Sequence, residues 1–383
     1  MTDFYDLAQL YNDEENLFLT TLRQFVDAEI LPVIEKHFLD GTFPSEIVPM
    51  IADLGVFGIT IPEEYGGAGS SYLMYGIAMQ ELERGDSAIR SFASVQSSLV
   101  MYPIFKYANK QIKDKWLPKL AKAEAIGCFG LTEPDFGSNP NGMLTNAKKS
   151  DGGFILNGAK MWITNGSIAD VAVVWAKHEG VVKGFIVEKG MKGFSAPEMT
   201  GKHSLRASVT SELIFEDCEV PAENVLNIEG LRGPLSCLTQ ARYGIAWGAV
   251  GAATAVYESA VEYSKSRIQF AKPIASFQLV QEKLVYMLTE ITKAQLINFR
   301  LAQLMDSGKA SPQHVSFAKR NNVDMALNCA RIARDIHGAN GILSEYPIMR
   351  HSANLESVRT YEGTHDIHTL ILGHHITGIP AYE

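Results

Sequence analysis

Gly153-Phe-Ile-Leu-Asn157, Val171-Ala-Val-Val-Trp175, Gly184-Phe-Ile-Val187 and Leu213-Ile-Phe215 are short β-branched and aromatic runs broken by glycine. Turn dipeptides punctuate them at Asn157-Gly158 and Asn165-Gly166. Runs this short, bounded by turn formers, read as strands. They decide the fold because the chain on either side carries the other period. Upstream, Leu17, Leu22, Phe25, Val26, Ile30 and Val33 recur at helical spacing, and Leu99, Val100, Tyr102, Phe105 and Tyr107 continue the pattern. Helix stops are expected at Pro32, Gly41, Gly55 and the Pro62-to-Gly69 stretch. Downstream, helical segments are predicted over about 236–268, about 278–306, and from Pro312 to a stop at Gly338. The order is helical, then β, then helical, and the long downstream segments suit an antiparallel bundle.

With 383 residues, the chain is long enough for two to three domains at about 150 residues each. A 46% hydrophobic and 20% charged composition is that of a globular protein and excludes a disordered or collagenous chain. The net charge of −9 argues against a general nucleic-acid binder, which needs a basic face. Cys128, Cys218, Cys237 and Cys329 are scattered without a CxxC pair, so neither a disulfide framework nor a structural zinc site is expected. The acidic start, through Asp13-Glu14-Glu15, has no basic segment followed by an apolar run, so no signal or transit peptide is expected. Tyr243 to Tyr257 is uncharged but too short for a membrane span and reads as a buried helix. These features predict a protein with no membrane partner, in a bacterial cytoplasm or, in a eukaryote, the mitochondrial matrix.

Some motifs carry no chemistry. Gly66-Gly67-Ala68-Gly69 follows a proline-containing loop and lacks the GxGxxG register of a nicotinamide site. His365, His368, His374 and His375 cluster near the end without metal-ligand spacing, so no metal is expected. Cys128-Phe-Gly-Leu-Thr-Glu-Pro-Asp-Phe-Gly-Ser-Asn139 is more informative: it opens the β zone and breaks into a loop exposing N–H groups and hydroxyls. That suits the polar edge of a planar cofactor or a phosphate, or else a plain strand-turn. Trp162-Ile163-Thr164-Asn165 would add an aromatic face beside it.

Taken together, these residues resemble the acyl-CoA dehydrogenase family, essentially end to end. The marks are Pro62-Glu-Glu-Tyr-Gly66, Gly130-Leu-Thr-Glu-Pro134, Trp162-Ile-Thr-Asn165, Ala241-Arg-Tyr-Gly-Ile-Ala-Trp247, Arg267-Ile-Gln-Phe270, Gly338-Ala-Asn-Gly341 and Tyr361-Glu-Gly-Thr-His-Asp-Ile-His368. The resemblance implies an α+β fold with an N-terminal helical domain (1–125), a central β-barrel-like domain (126–230) and a C-terminal four-helix bundle (231–383). It implies FAD as cofactor. Phe129, Leu131, Thr132, Gly137, Ser138, Trp162, Ile163 and Thr164 would line the flavin side, and Thr364 and Asp366 would touch the cofactor from the C-terminal end. Arg267, Phe270, Gln278, Asp335, Gly338 and Ala339 would hold the diphosphate and adenosine of a neighbouring subunit. The implied partners are an acyl-CoA substrate, electron-transferring flavoprotein and further copies of the chain in a homotetramer.

The implied reaction removes a proton α to a thioester while a hydride leaves the β carbon. The base must be a carboxylate made more basic by desolvation, and the resemblance assigns Glu362. Ala241 stands where some members carry the acid, on the helix that holds Ala241-Arg242, and it cannot serve. Arg90 lies in Glu83-Arg-Gly-Asp-Ser-Ala-Ile-Arg-Ser-Phe-Ala-Ser-Val95. By resemblance it pairs with a free substrate carboxylate, with Glu83 nearby, because a planar guanidinium grips a carboxylate bidentately. Arg90, Ser91, Val95 and Tyr361 would then select a five-carbon dicarboxyl thioester, and Ser138, Arg242 and Gly363 join the expected substrate contacts. The favoured outcome is glutaryl-CoA to crotonyl-CoA plus CO2. Oxidation stopping at glutaconyl-CoA, a short-chain enzyme with Arg90 turned to solvent, and a silent FAD-bound scaffold remain as alternatives.

Overall fold

The computed structural model describes residues 2–381. The β zone forms eight strands: β1 (Gly127–Gly130), β2 (Asn146–Ser150), β3 (Gly153–Thr164), β4 (Val171–His178), β5 (Val181–Glu188), β6 (Phe194–Ser195), β7 (Thr210–Pro221) and β8 (Val225–Glu229). They join in the order β6-β7-β3-β2-β4-β5-β8, with β1 running parallel to β4. All six residues Val171–Ala176 of β4 are buried because both of its faces are covered. Val171, Val173 and Trp175 pack with Leu99 and Val100 of the N-terminal helices. Ala172, Val174 and Ala176 pack with Leu156, Leu213 and Phe215 of the sheet layer.

This sheet corrects the expected barrel-like domain. Its end strands, β6 and β8, do not pair with each other, so the sheet is open. β6 is two residues long and pairs only with β7, while β8 pairs only with β5 before the chain turns into helix. Closing a sheet needs two complementary, staggered edges, and neither end offers a free strand of the needed length.

Among the described residues, seven α-helices precede the sheet: α1 (Asp13–Phe25), α2 (Leu31–Asp40), α3 (Val48–Asp53), α4 (Tyr72–Gly85), α5 (Ser87–Ser94), α6 (Tyr102–Tyr107) and α7 (Lys110–Ala121). Leu22, Val26, Ile30 and Ile34 form one fully buried stripe at four-residue spacing. Pro32 does not stop the helix as expected. A wider turn over Val26–Ile30 leads directly into α2, where Pro32 sits in the first turn and its missing N–H costs nothing. Leu17, counted in the apolar pattern, faces solvent.

After the sheet come α8 (Arg232–Ser266), the hairpin β9 (Ile268–Gln269) and β10 (Lys272–Pro273), then α9 (Gln278–Asp306), α10 (Pro312–His337), α11 (Ile348–Thr360) and α12 (His365–Thr377). Ser311 caps α10 ahead of Pro312, and Gly338, at φ +58°, ends it. α8, α9 and α11 all pack against α10, and α12 docks on it as a fifth helix. Among the described residues no helix is long and apolar enough to cross a membrane.

Candidate active site

The α4–α5 junction builds the first half of the site. Asp86 adopts an extended conformation (φ −166°, ψ 145°) that ends α4, and its side chain caps α5 by accepting from the Ala88 N–H at 2.7 Å. The break lets Arg90 reach back to Glu83, seven residues earlier, with Nε donating to Oε2 at 2.5 Å. Ser87 Oγ donates to the other Glu83 oxygen at 2.7 Å. Both members of the pair are buried, Arg90 being 1% exposed. Burial works against the guanidinium charge, but Glu83 and Tyr361 outweigh it and hold Arg90 above the ordinary arginine range. Tyr361 closes the cluster: its hydroxyl accepts from Arg90 Nη2 and lies 3.3 Å from Ser91 Oγ. Val95 is buried at the start of the wider turn that continues α5.

The turn between α11 and α12 builds the second half. Glu362 sits at φ +52° and Gly363 at φ +94°, so a non-glycine residue is held in the left-handed region at some cost. Three successive carbonyls hold this shape. Lys319 Nζ of α10 donates to Tyr361 O at 2.8 Å and to Gly363 O at 2.6 Å, and Arg242 Nε of α8 donates to Glu362 O at 2.7 Å. The Glu362 N–H donates to no described residue, and its buried Oε2 has no hydrogen-bond partner. Burial raises the Glu362 carboxyl above the ordinary range, against the opposing pull of Arg90, Arg242 and Lys319. His368, buried beside the turn, is pushed down to about 2 by burial and by Lys319 and Arg242, so its ring is neutral. Among the described residues no three His, Cys, Asp or Glu side chains gather as metal ligands.

A third region lies along β3. The loop after β1 is pinned there: Lys160 Nζ donates to Leu131 O (3.1 Å) and Glu133 Oε1 (2.8 Å), and Met161 N donates to Thr132 O (2.9 Å). Glu133 also accepts from the N–H groups of Leu144 (2.6 Å) and Thr145 (3.0 Å). A bulge between Lys160 and Ile163 turns Trp162 outward at φ +64°, leaving it 60% exposed, while Ile163 points into the sheet layer. Thr132 and Thr164 are half-buried, and Gly137 and Ser138 are exposed. The side chains of Phe129, Leu131 and Ile163 instead face the core, leaving mainly their backbone to meet a ligand.

Arg267, Phe270, Gln278, Asp335, Gly338 and Ala339 do not join these three regions. All are exposed, on the β9–β10 hairpin, the start of α9 and the end of α10. Asp335 lies sixteen residues, about 24 Å of helix, beyond Lys319 on α10. Thr364 caps α12 by accepting from Ile367 N–H at 3.1 Å, and Asp366 is exposed in its first turn.

Sequence reasoning missed Lys319, Gly248 and the Glu133–Lys160 pair. A Cβ on Gly248 of α8 would stand 1.9 Å from Glu83 Oε2 and 3.1 Å from Arg90 Nε. The available signal was a glycine inside a long apolar helix, which marks close approach. For Lys319 it was a lysine falling on the same face as Val315 and Asn322 of α10, both buried.

Three family models match the chain: the acyl-CoA dehydrogenase N-terminal domain over residues 12–124, the middle domain over 128–218 and the C-terminal domain over 229–377. The chain belongs to the acyl-CoA dehydrogenase family. It is an oxidoreductase of that family. An acyl-CoA dehydrogenase of Bacillus subtilis (strain 168) is 35% identical, covering 95% of this chain and 98% of its own length. The short-chain specific acyl-CoA dehydrogenase of Megasphaera elsdenii is 34% identical, covering 96% and 98%. Among solved structures, a glutaryl-CoA dehydrogenase from Mycobacterium smegmatis in complex with FADH2 superimposes with a TM-score of 0.98 at 46% identity. It covers 100% of this chain and 99% of that one.

Proposed function

We propose that this acyl-CoA dehydrogenase oxidises glutaryl-CoA with bound FAD and decarboxylates the product to crotonyl-CoA and CO2. The buried Arg90–Glu83–Tyr361 cluster close to Glu362 carries this reading. Arg90 already has Glu83 as an anionic partner through Nε, so a distal substrate carboxylate would meet the guanidinium N–H groups that remain, whereas an alkyl chain would leave them unpaired. Glutaryl-CoA is also the ligand named for a solved glutaryl-coenzyme A dehydrogenase complex that is 32% identical to this chain.

The exposed Trp162, the hydroxyls of Thr132 and Thr164 and the loop pinned by Glu133 and Lys160 fit a flavin ring. Bound there, FAD would supply the acceptor for the β-hydride. Glu362 takes the α-proton, its carboxylate made a stronger base by burial. Its own free N–H meets the thioester oxygen, where charge develops. Arg90 fixes the distal carboxylate, which becomes vinylogous to the thioester once the double bond has formed. Loss of CO2 then leaves a dienolate, and the protonated Glu362 carboxyl returns the proton. Arg267, Phe270, Gln278, Asp335, Gly338 and Ala339 serve the FAD of a neighbouring copy in a homotetramer, and electrons pass on to electron-transferring flavoprotein. The compartment is a bacterial cytoplasm or the mitochondrial matrix; human and rat short-chain relatives, 33% identical, are named as mitochondrial.

One titration tests this. Glutaryl-CoA should bleach the flavin of the purified protein, butyryl-CoA should do so far less, and CO2 should be trapped from the first tube. Equal bleaching by both would overturn the specificity, and bleaching without CO2 would mean that the reaction stops at glutaconyl-CoA. Glu362→Gln should abolish bleaching with FAD still bound; bleaching that persists would give the base to another group.

A further inference from the structure

Glu362 is held by a pair of buried cations, and they are not equivalent. Arg242 contacts the Glu362 carbonyl itself, whereas Lys319 bridges the carbonyls on either side, those of Tyr361 and Gly363. Lys319 is 1% exposed. Its hydrogen bonds both go to this one turn. A lysine so placed bears a desolvation cost that an apolar residue on the same helix face would avoid. We propose that Lys319 is a positioning residue for Glu362: its ammonium clamps the flanking carbonyls, keeps the carboxylate aimed into the site and holds it ionised until the α-proton is taken. This rests on the reading of Glu362 as the base.

The electrostatic part follows from what faces the ammonium. Glu362 comes from the turn, His368 from α12, Arg242 from α8, Arg90 from α5 and Arg359 from α11. Glu362 is the acidic member of this set, His368 is neutral, and the other three are permanent cations. Burial and the neighbouring arginines bring Lys319 down to about 7, so it is the cation of the group whose charge can change. Burial favours the protonated form of the Glu362 carboxyl, and the Lys319 charge acts against that. Its loss must raise the Glu362 carboxyl further, shifting the acid limb of the reaction to higher pH.

The test uses full-length, flavin-loaded Lys319→Met, Lys319→Gln and Lys319→Arg, with the rate of flavin reduction by the acyl-CoA that the wild type oxidises followed against pH. The acid-limb midpoint should rise by about one unit or more in the Met and Gln variants, the range that an opposite charge nearby imposes on a carboxyl. It should stay near wild type in the Arg variant. Gln keeps amide donors for the carbonyls, so it decides the outcome if the Met variant fails to hold flavin. An unmoved limb in either neutral variant, with rates falling only as flavin content falls, would make Lys319 merely structural and overturn the proposal. If no acyl-CoA bleaches the wild type, both readings fall together; an unmoved limb in a competent enzyme removes this one alone.

Discussion

Gly248 marks how closely α8 approaches the Glu83–Arg90 pair. Helix α8 passes so close to the Glu83–Arg90 pair that a methyl group there would stand 1.9 Å from a carboxylate oxygen. Neither partner has an exposed route along which to yield. Gly248→Ala should therefore destabilise the fold by about 1–3 kcal/mol through overpacking, measured as a lowered urea midpoint. It should also displace Arg90 enough to weaken reduction by glutaryl-CoA at least tenfold, while butyryl-CoA loses less. Equal losses for the two substrates would mean that Arg90 does not meet the distal carboxylate. Arg90 and Glu362 were singled out through the resemblance to the acyl-CoA dehydrogenase family. By residue type alone each reads as an exposed charge, whereas the structure buries Arg90 against Glu83 and holds Glu362 in the α11–α12 turn. Gly248 and Lys319 were not singled out, since their importance lies in what a different helix brings against them.

Among elements, β3 corrects the expected turn at Asn157-Gly158: one strand runs through that dipeptide from Gly153 to Thr164, with a bulge between Leu156 and Gly158 where a turn was expected. The runs 153–157 and 162–165 read as strand from their residues, but both bulges, including the one that turns Trp162 outward, arise from pairing with β7, which has no signature in the runs themselves. The same pairing hides Lys160, 0% exposed, beneath the loop whose shape it fixes through Glu133. Removing one partner of such a pair leaves an uncompensated buried charge. Glu133→Ala should thus cost about 3–5 kcal/mol, read from urea unfolding, and should lower FAD retention through gel filtration. The double substitution Glu133→Ala with Lys160→Met should recover much of the stability, because the stranded ammonium is gone. If it recovers none, the loop is held chiefly by the Met161–Thr132 backbone bond and its neighbours. Pro32 teaches a related lesson: proline stops a helix only where its N–H was needed, and a wider turn can remove that need.

For the whole molecule, the order of helical, β and helical zones was legible because periodicity is local. Whether the sheet closes was not, because closure depends on which strands meet at its two ends. Assembly lies further still from sequence pattern, and the exposed set at Arg267, Phe270, Gln278 and Asp335 bears on it. Phe270, 88% exposed at a hairpin tip, and Leu279, Val285 and Tyr286 along α9 form apolar surface of the kind that marks an interface. If this set serves a neighbour's cofactor while Glu362 serves its own, two defects should complement each other. Glu362→Gln chains lack a base but carry an intact Arg267; chains with Arg267→Glu and Gln278→Ala lack the cofactor-holding set but carry Glu362. In a mixed pair one of the two sites then receives both intact halves, and the other receives neither. Two-fold symmetric pairing with random assembly makes about half of the pairs mixed, so equal co-refolding should restore about a quarter of wild-type sites. Flavin bleaching by glutaryl-CoA would count them, with each variant refolded alone as the blank. If each chain completes its own site, no mixture can exceed the sum of its parts, and a flat result would place the whole FAD site within one subunit.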